Sequence, residues 1–444
     1  MTKSDAGDIS GRLNLIYREI ERNDFNAFIT LCRPATASDG GSLAGTIFGI
    51  KDNIAVKGER LTCASRLLEN YVSPYDATLV SRLRSSGAVI LGKTNMDEFA
   101  CGSSGENSAF GPALNPLFPG MVPGGSSSGS GAAVSAGLVD AAFGSDTGGS
   151  ARCPAAFCDA VAFKPTYGRI SRHGLVDMAM SLETPAPVVP KGRVQLLAEI
   201  MDAVSGYDEH DQTTYSFRRT ECALKLNDFD FEGADISIPS NLVRLCSNDV
   251  VAAFRKTVGA MRKAGCRVNE FDLKNAPMLL PSYYITMYSE FSSAMQRFDG
   301  LRYGTRTGGG GIAEIMKASR SLLGREVRRR IMLGTYITSL EGRSEWYDRA
   351  MNAGNEVREE AEEILGSSDM IVMPTMPLTP YPFGEKTSDP LLMYATDVLT
   401  VLANVCSLPA GSLPVDHGIG IQLIGGRGKD EEVVSAMYRL QGLV

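Results

Sequence analysis

The chain has 444 residues, 43% of them hydrophobic and 21% charged, a globular mix long enough to bury a large core as one domain or as two to three. Asp+Glu at 51 against Lys+Arg at 44 leave a net charge of −7, which excludes a general nucleic-acid-binding surface but allows one local patch. No apolar run approaches the roughly 18 residues that cross a bilayer, the polar start lacks a secretory h-region, and nine cysteines without a C-x-x-C pair read as reduced thiols of a cytoplasmic protein.

Apolar residues at helical spacing predict a helix from Ile9 to Glu21. A polar, Gly-rich stretch around Asp39–Gly41 leads into a buried strand over Leu43–Ile50 that ends at Lys51. Asp76 and Gly87 bracket the next helix as cap and stop, and Ala88–Leu91 forms the next strand. This alternation points to an α/β sheet with helical cover. From Cys101 to Gly149 the chain is dense in Gly, Ser, Asn and Pro, yet small apolar runs interrupt it. It therefore reads as two loops feeding closely packed helix and strand elements, not as a linker. Downstream, helices are predicted over Gln195–Val204 and Asn248–Ala264, with strands at Asp235–Pro239 and Cys266–Phe271. A mainly helical stretch over 282–365, broken at Gly308–Gly311, precedes a strand at Met370–Met373, a helix near Leu392–Val405 and a strand at Gly418–Ile424. With no repeat and no linker, the simplest organisation is one domain over 1–444, with a core over about 43–190 and a helical elaboration over about 282–405.

Two Gly/Ser segments carry the sharpest local signal, Gly124–Gly131 (GGSSSGSG) and Gly144–Ser150 (GSDTGGS). Glycine lets backbone approach a ligand closely, and successive N–H groups can point at an oxyanion or a phosphate. A phosphate-binding P-loop would need a Lys after the glycines, and neither run has one. A dinucleotide-binding loop would need a strand–turn–helix context with an acidic residue about 20 positions on, which is lacking.

A serine nucleophile needs a base. Only His173, His210 and His417 exist, each in a polar loop or turn, and each reads as structural or surface. The remaining base is a lysine whose pKa is lowered by burial or a nearby charge. Lys51 follows the apolar run Ile47–Ile50, an unusual place for a merely solvated lysine, though a strand-end lysine is ordinarily structural. Lys57, Lys93 and Lys164 have no better claim.

Taken together, Gly49–Asn53, Gly92–Phe99, Gly124–Ser127, Gly144–Ser150 and Lys164–Gly168 resemble the amidase signature family in order and spacing. Lys51 and Ser126 lie 75 positions apart, and Ser126 and Ser150 lie 24 apart, as in that family. The resemblance implies an amidase signature fold, an α/β architecture with a central mixed β-sheet covered by helices on both faces. It implies Ser150 as nucleophile, Ser126 as proton relay with a cis peptide bond, and Lys51 as base. It further implies an oxyanion hole at Thr147, Gly148 and Gly149, with Ser127, Asp146 and Arg152 ordering the network. Two departures bear on loop shape: Ser128 stands where the family usually has glycine, and Ser181–Pro187 (SLETPAP) stands where it commonly reads SLDQxGP.

Beyond the signature region, Arg297–Gly304, Gly324–Thr335 and Asp389–Asp397 resemble the A-subunit branch of that family, found in glutamyl-tRNA(Gln)/aspartyl-tRNA(Asn) amidotransferases. That likeness implies a glutaminase that hands ammonia to a tRNA-binding B subunit, which uses ATP and Mg²⁺, in company with a small C subunit. It implies no metal or cofactor in this chain and contact with tRNA only through the complex. Arg330, with Arg329 as a substitute, is the choice for the glutamine carboxylate, because guanidinium matches carboxylate in a two-point fork. Asp397 is the choice for the ammonium, and Tyr283 or Tyr284 for the pocket wall. The competing expectations are a stand-alone amidase for small aliphatic or aryl amides and a catalytically silent scaffold subunit.

Overall fold

The computed structural model describes residues 9–23, 25–32, 40–339, 343–386 and 389–444. Its strands, in chain order, are β1 (Phe28–Leu31), β2 (Ile47–Lys51), β3 (Val89–Thr94), β4 (Ala141–Asp146), β5 (Ala160–Lys164), β6 (Thr184–Pro190), β7 (Asp235–Pro239), β8 (Arg267–Phe271), β9 (Met370–Pro374), β10 (Ala410–Asp416) and β11 (Ile419–Ile424). They join one 11-stranded sheet in the order β1-β3-β2-β4-β6-β5-β10-β11-β9-β7-β8. The pairs β2/β3, β2/β4, β7/β8 and β7/β9 are parallel and the others antiparallel, so the sheet is mixed. Strands β2 to β5 are buried along their whole length, which explains why they read as unbroken apolar or small-residue runs.

The helices are α1 (Ile9–Arg22), α2 (Thr78–Ser85), α3 (Ser128–Ser135), α4 (Arg152–Phe157), α5 (Val194–Val204), α6 (Ser240–Val243), α7 (Asn248–Lys263), α8 (Leu279–Ala294), α9 (Ile312–Arg320), α10 (Arg325–Ile337), α11 (Asp348–Gly366), α12 (Pro390–Ala395), α13 (Val401–Val405) and α14 (Asp430–Leu440). Large side chains on one face of the sheet, among them Phe48, Phe143, Phe163 and Leu413, pack under α2, α5 and α14. Small residues on the opposite face (Ala142, Ala162, Ala186) let α3 and α4 lie close. A second core gathers α8, α10, α11 and α13 around Tyr283, Met287 and Leu399. Among the described residues no helix is long and apolar enough to cross a membrane.

Several boundaries differ from expectation for local physical reasons. Residues 43–46 form a turn, closed by the Thr46 N–H on the Leu43 carbonyl, so β2 starts at Ile47. Asp76 does not cap α2; it accepts from the Lys57 N–H at 2.7 Å, and the cap position falls on Ala77. The helix expected near Leu392–Val405 is two helices with a break over Thr396–Thr400, and the break carries Asp397. Of the stretch expected around Asp39–Gly41, Asp39 lies outside the described residues.

Candidate active site

Strands β2 and β4 are parallel neighbours, so their carboxyl ends, Lys51 and Asp146, finish at the same edge of the sheet. Open α/β sheets gather ligands at such an edge. The Gly124–Ser127 loop leads into α3 and the Thr147–Ser150 loop into α4. The Ser127 N–H donates to the Ser150 carbonyl at 3.0 Å and ties the two loops together.

The buried Lys51 Nζ donates to Ser126 Oγ at 2.8 Å and to Ser145 Oγ at 2.9 Å. Asn53 Nδ2 also donates to Ser145 Oγ, at 3.2 Å. Burial pushes the Lys51 ammonium down to about 7, against the opposing charges of Asp97, Asp146 and Glu183. Of the other candidate lysines none reaches a serine: Lys57 is exposed, Lys93 pairs with Asp52 at 3.2 Å, and Lys164 donates to the Pro165 carbonyl. Lys164 is also pushed down to about 7 by burial, so a low pKa alone does not single out Lys51; contact with Ser126 does. The Gly125–Ser126 peptide is cis. Ser126, Ser127 and Ser128 are buried, whereas Ser150 is half-buried and keeps access to the outside.

A buried ion pair shapes the Ser150 loop. Arg152 Nε and Nη2 grip the two Asp146 oxygens at 3.0 and 2.9 Å, both side chains being fully buried. Arg152 also donates to Gln422 Oε1, the Thr400 carbonyl and Asn404 Oδ1, at 2.7 to 3.0 Å. Burial disfavours charge on Asp146, but the Arg152 guanidinium and hydrogen bonds from Arg152 and Asn404 outweigh it and hold the carboxyl well below the usual carboxylate range. Asp146 additionally accepts from the backbone at Gly149 (2.9 Å), Ala151 and Arg152, capping the start of α4. One expected oxyanion donor is thereby corrected: the Gly149 N–H is committed to Asp146. Among the described residues no acceptor engages the Thr147, Gly148 or Ser150 N–H. Gly148 and Gly149 are required sterically, because a Cβ would strike the Tyr283 hydroxyl at one and the Thr400 side chain at the other.

Thr400 ties the segment that carries Asp397 to the same loop. Thr400 Oγ1 donates to the Gly148 carbonyl at 2.6 Å and lies 3.1 Å from the Asp397 carbonyl. Asp397 accepts from Tyr284 OH at 2.6 Å and from Ser103 Oγ at 2.9 Å, and burial pushes its carboxyl up to about 6. Arg330 is buried, with Nε on Glu326 Oε1 at 2.9 Å, Nη1 against Met287 Sδ at 3.6 Å and its guanidinium 5.8 Å from the Tyr394 ring centre. Arg329 is only half-buried and meets the other Glu326 oxygen. Arg330 and not Arg329 is therefore the arginine turned inward.

The two family departures are accommodated. Ser128 is the first residue of α3, buried with its hydroxyl unpartnered and packed against Gly105. Thr184–Pro190 forms β6 between β4 and β5, and the buried Glu183 is pushed up to about 7 by desolvation. Sequence reasoning missed Ser145, Ser103, Thr400, Asn404 and Gln422. Ser145 lay inside a quoted motif, but Asn404 and Gln422 stand more than 250 positions from Arg152 and leave no local signal.

Over residues 29–434 the sequence matches the Amidase family. The chain therefore belongs to the amidase family, and amide cleavage is its class of chemistry. Among similar relatives, the A subunit of the glutamyl-tRNA(Gln) amidotransferase of Haloarcula marismortui is 42% identical over 93% of this chain and 98% of its own length. Its counterpart in Natronomonas pharaonis is 45% identical over 90% and 96%. The crystal structure of the corresponding A subunit from Thermotoga maritima, 37% identical, matches with a TM-score of 0.83 over 96% of this chain and 90% of that one. The fold alone is shared with the peptide amidase of Stenotrophomonas maltophilia, at 24% identity and a TM-score of 0.80 over 98% of this chain and 93% of that one.

Proposed function

We propose that the chain, as one amidase domain, is the glutaminase subunit of a tRNA-dependent amidotransferase. The contact between buried Lys51 and Ser126 carries the chemical half of this reading. Neutral Lys51 takes a proton from Ser126, which takes one from Ser150 as its Oγ attacks the carboxamide carbon of glutamine. The open N–H groups at Thr147, Gly148 and Ser150 receive the oxyanion. On collapse the C–N bond breaks, the relay returns the proton to departing ammonia, and water then hydrolyses the acyl-serine by the same route. Asp397 with Tyr284 takes the α-ammonium and Arg330 the α-carboxylate, Tyr283 forming the wall over Gly148.

The partners in this reading are a B subunit, which holds tRNA and uses ATP with Mg²⁺, and a small C subunit, in the cytoplasm. Ammonia passes to B for conversion of Glu-tRNA(Gln), Asp-tRNA(Asn) or both. The relatives' names and the paired charges at Arg330 and Asp397 support the substrate, since a simple amide offers neither charge. Ammonia release from glutamine, asparagine and a short aliphatic amide, with and without co-expressed B and C subunits, tests it. Glutamine is expected to lead and the partners to stimulate; strong aliphatic amidase activity indifferent to them would overturn the reading. Arg330→Gln should shift the kcat/KM ratio of glutamine to aliphatic amide by about 10- to 100-fold, the value of a hydrogen-bonded charge.

The base must be neutral to act. With Lys51 near 7, kcat/KM should rise from about pH 6 to about pH 8 as the ammonium loses its proton. A flat profile across that window would exclude Lys51 as the titrating base.

A further inference from the structure

Away from the Lys51 edge, the Tyr75, His173 and His210 rings stack in succession, with centres 5.4 and 4.6 Å apart, along an open groove of about 800 Å³. Two of the chain's three histidines thus meet here, beside the buried Asp208. Hydrogen bonding settles their tautomers. Thr78 Oγ1 donates its only proton to Asp208 Oδ2 at 2.6 Å, so toward His173 Nδ1, at 3.1 Å, it can only accept. His173 therefore carries its proton on Nδ1. His210 Nδ1 faces Asp208 Oδ1 at 3.0 Å, and a carboxylate there likewise calls for a proton on Nδ1. Ser171 Oγ and the His210 N–H complete the set around Asp208, at 2.5 and 3.1 Å. Each neutral ring is left with an unprotonated Nε2.

We propose that His173 and His210 bind one divalent cation of the borderline class, such as Zn²⁺, Ni²⁺ or Cu²⁺, through their Nε2 atoms, with Asp208 as the carboxylate that orients both rings. One ring nitrogen of each histidine and a carboxylate oxygen of Asp208 lie within 4.8 Å of one another, which brings the two rings to one place. A cation at about 2.1 Å from each nitrogen requires the exposed His210 ring to turn out of its stack on His173. A histidine ligand that donates its other N–H to a carboxylate, directly or through a hydroxyl, is the usual outer-shell arrangement of metal sites. Imidazole nitrogen selects this class over Mg²⁺ or Ca²⁺, which take oxygen. The groups share no residue with the Lys51–Ser126 site. A cation here joins the 171–174 loop to the 208–211 loop at the start of α2, outside the path of amide cleavage.

The test uses the full chain without a histidine tag at about pH 7.5, where histidine is neutral. Zn²⁺ and Ni²⁺ chlorides are titrated calorimetrically, and Cu²⁺ is followed by its nitrogen splitting in electron paramagnetic resonance. One equivalent per chain is expected, with splitting from two imidazoles. His210→Ala, at an exposed position, should weaken binding by about tenfold or more, and Thr78→Val by about 10- to 100-fold through loss of ring orientation. The His173→Ala/His210→Ala double variant controls for uptake by the cysteines. No uptake by the wild type, or unchanged affinity in the double variant or in Thr78→Val, overturns the assignment.

Discussion

Ser150→Ala is expected to lower glutamine hydrolysis by about 10⁴- to 10⁶-fold while leaving the fold intact, because the half-buried hydroxyl makes no contact that its neighbours depend on. Lys51→Met, which refills most of the buried volume, should cost nearly as much, since the Ser126 hydroxyl then has no acceptor for its proton. The two losses should not add. Relay, base and nucleophile act as one device, so the double variant should be no slower than the worse single one. Single-turnover ammonia release measures all three. Activity within tenfold of wild type in Ser150→Ala would place the nucleophile elsewhere, and additive losses would show that Lys51 and Ser150 act independently.

The second large effect concerns stability. Asp146→Asn leaves the fully buried Arg152 guanidinium without its counter-charge and weakens the cap on α4. Breaking a buried pair from one side costs about 3–5 kcal/mol, whereas removing both charges together costs less. The urea midpoint of Asp146→Asn should fall accordingly with an unchanged slope, and Asp146→Asn combined with Arg152→Met should recover part of the loss. Equal destabilisation by the single and double variants would mean that the pair itself contributes nothing beyond packing.

What could be read from the amino-acid order alone follows a physical divide. The α/β class and the strands at Ile47, Val89 and Met370 were legible because buried strands begin as short unbroken apolar runs, and the strand at Asp235 because its apolar residues alternate. Strand β6 was not, because Thr184–Pro190 carries three prolines. Pro185 and Pro187 stand two apart, so their missing N–H groups fall on one edge of the strand, and β5 runs beside β6 only from Val188 onward. The opposite edge keeps its donors for pairing. The Lys51–Ser126 contact was legible from motif order, since each residue sits in a short distinctive segment. The fate of the Gly149 N–H was not: glycine-rich composition says where backbone can approach a ligand, not which amides a neighbouring carboxylate has already taken. Arg330 over Arg329 was likewise a question of helix rotation within α10, which only packing against α8 decides.

Strands β10 and β11 enter the sheet between β5 and β9, at its middle rather than its margin. Residues 410–424 therefore hold the two halves of the sheet together, and Gln422 in β11 also holds Arg152 beneath the nucleophile loop. On a ribosome, Lys51, Ser126 and Ser150 emerge hundreds of residues before β10 and β11. A nascent chain consequently carries the whole catalytic alphabet long before it can spell anything with it. A product terminated before residue 410 would lack both the strands that join the two halves of the sheet and the Gln422 acceptor beneath the nucleophile loop.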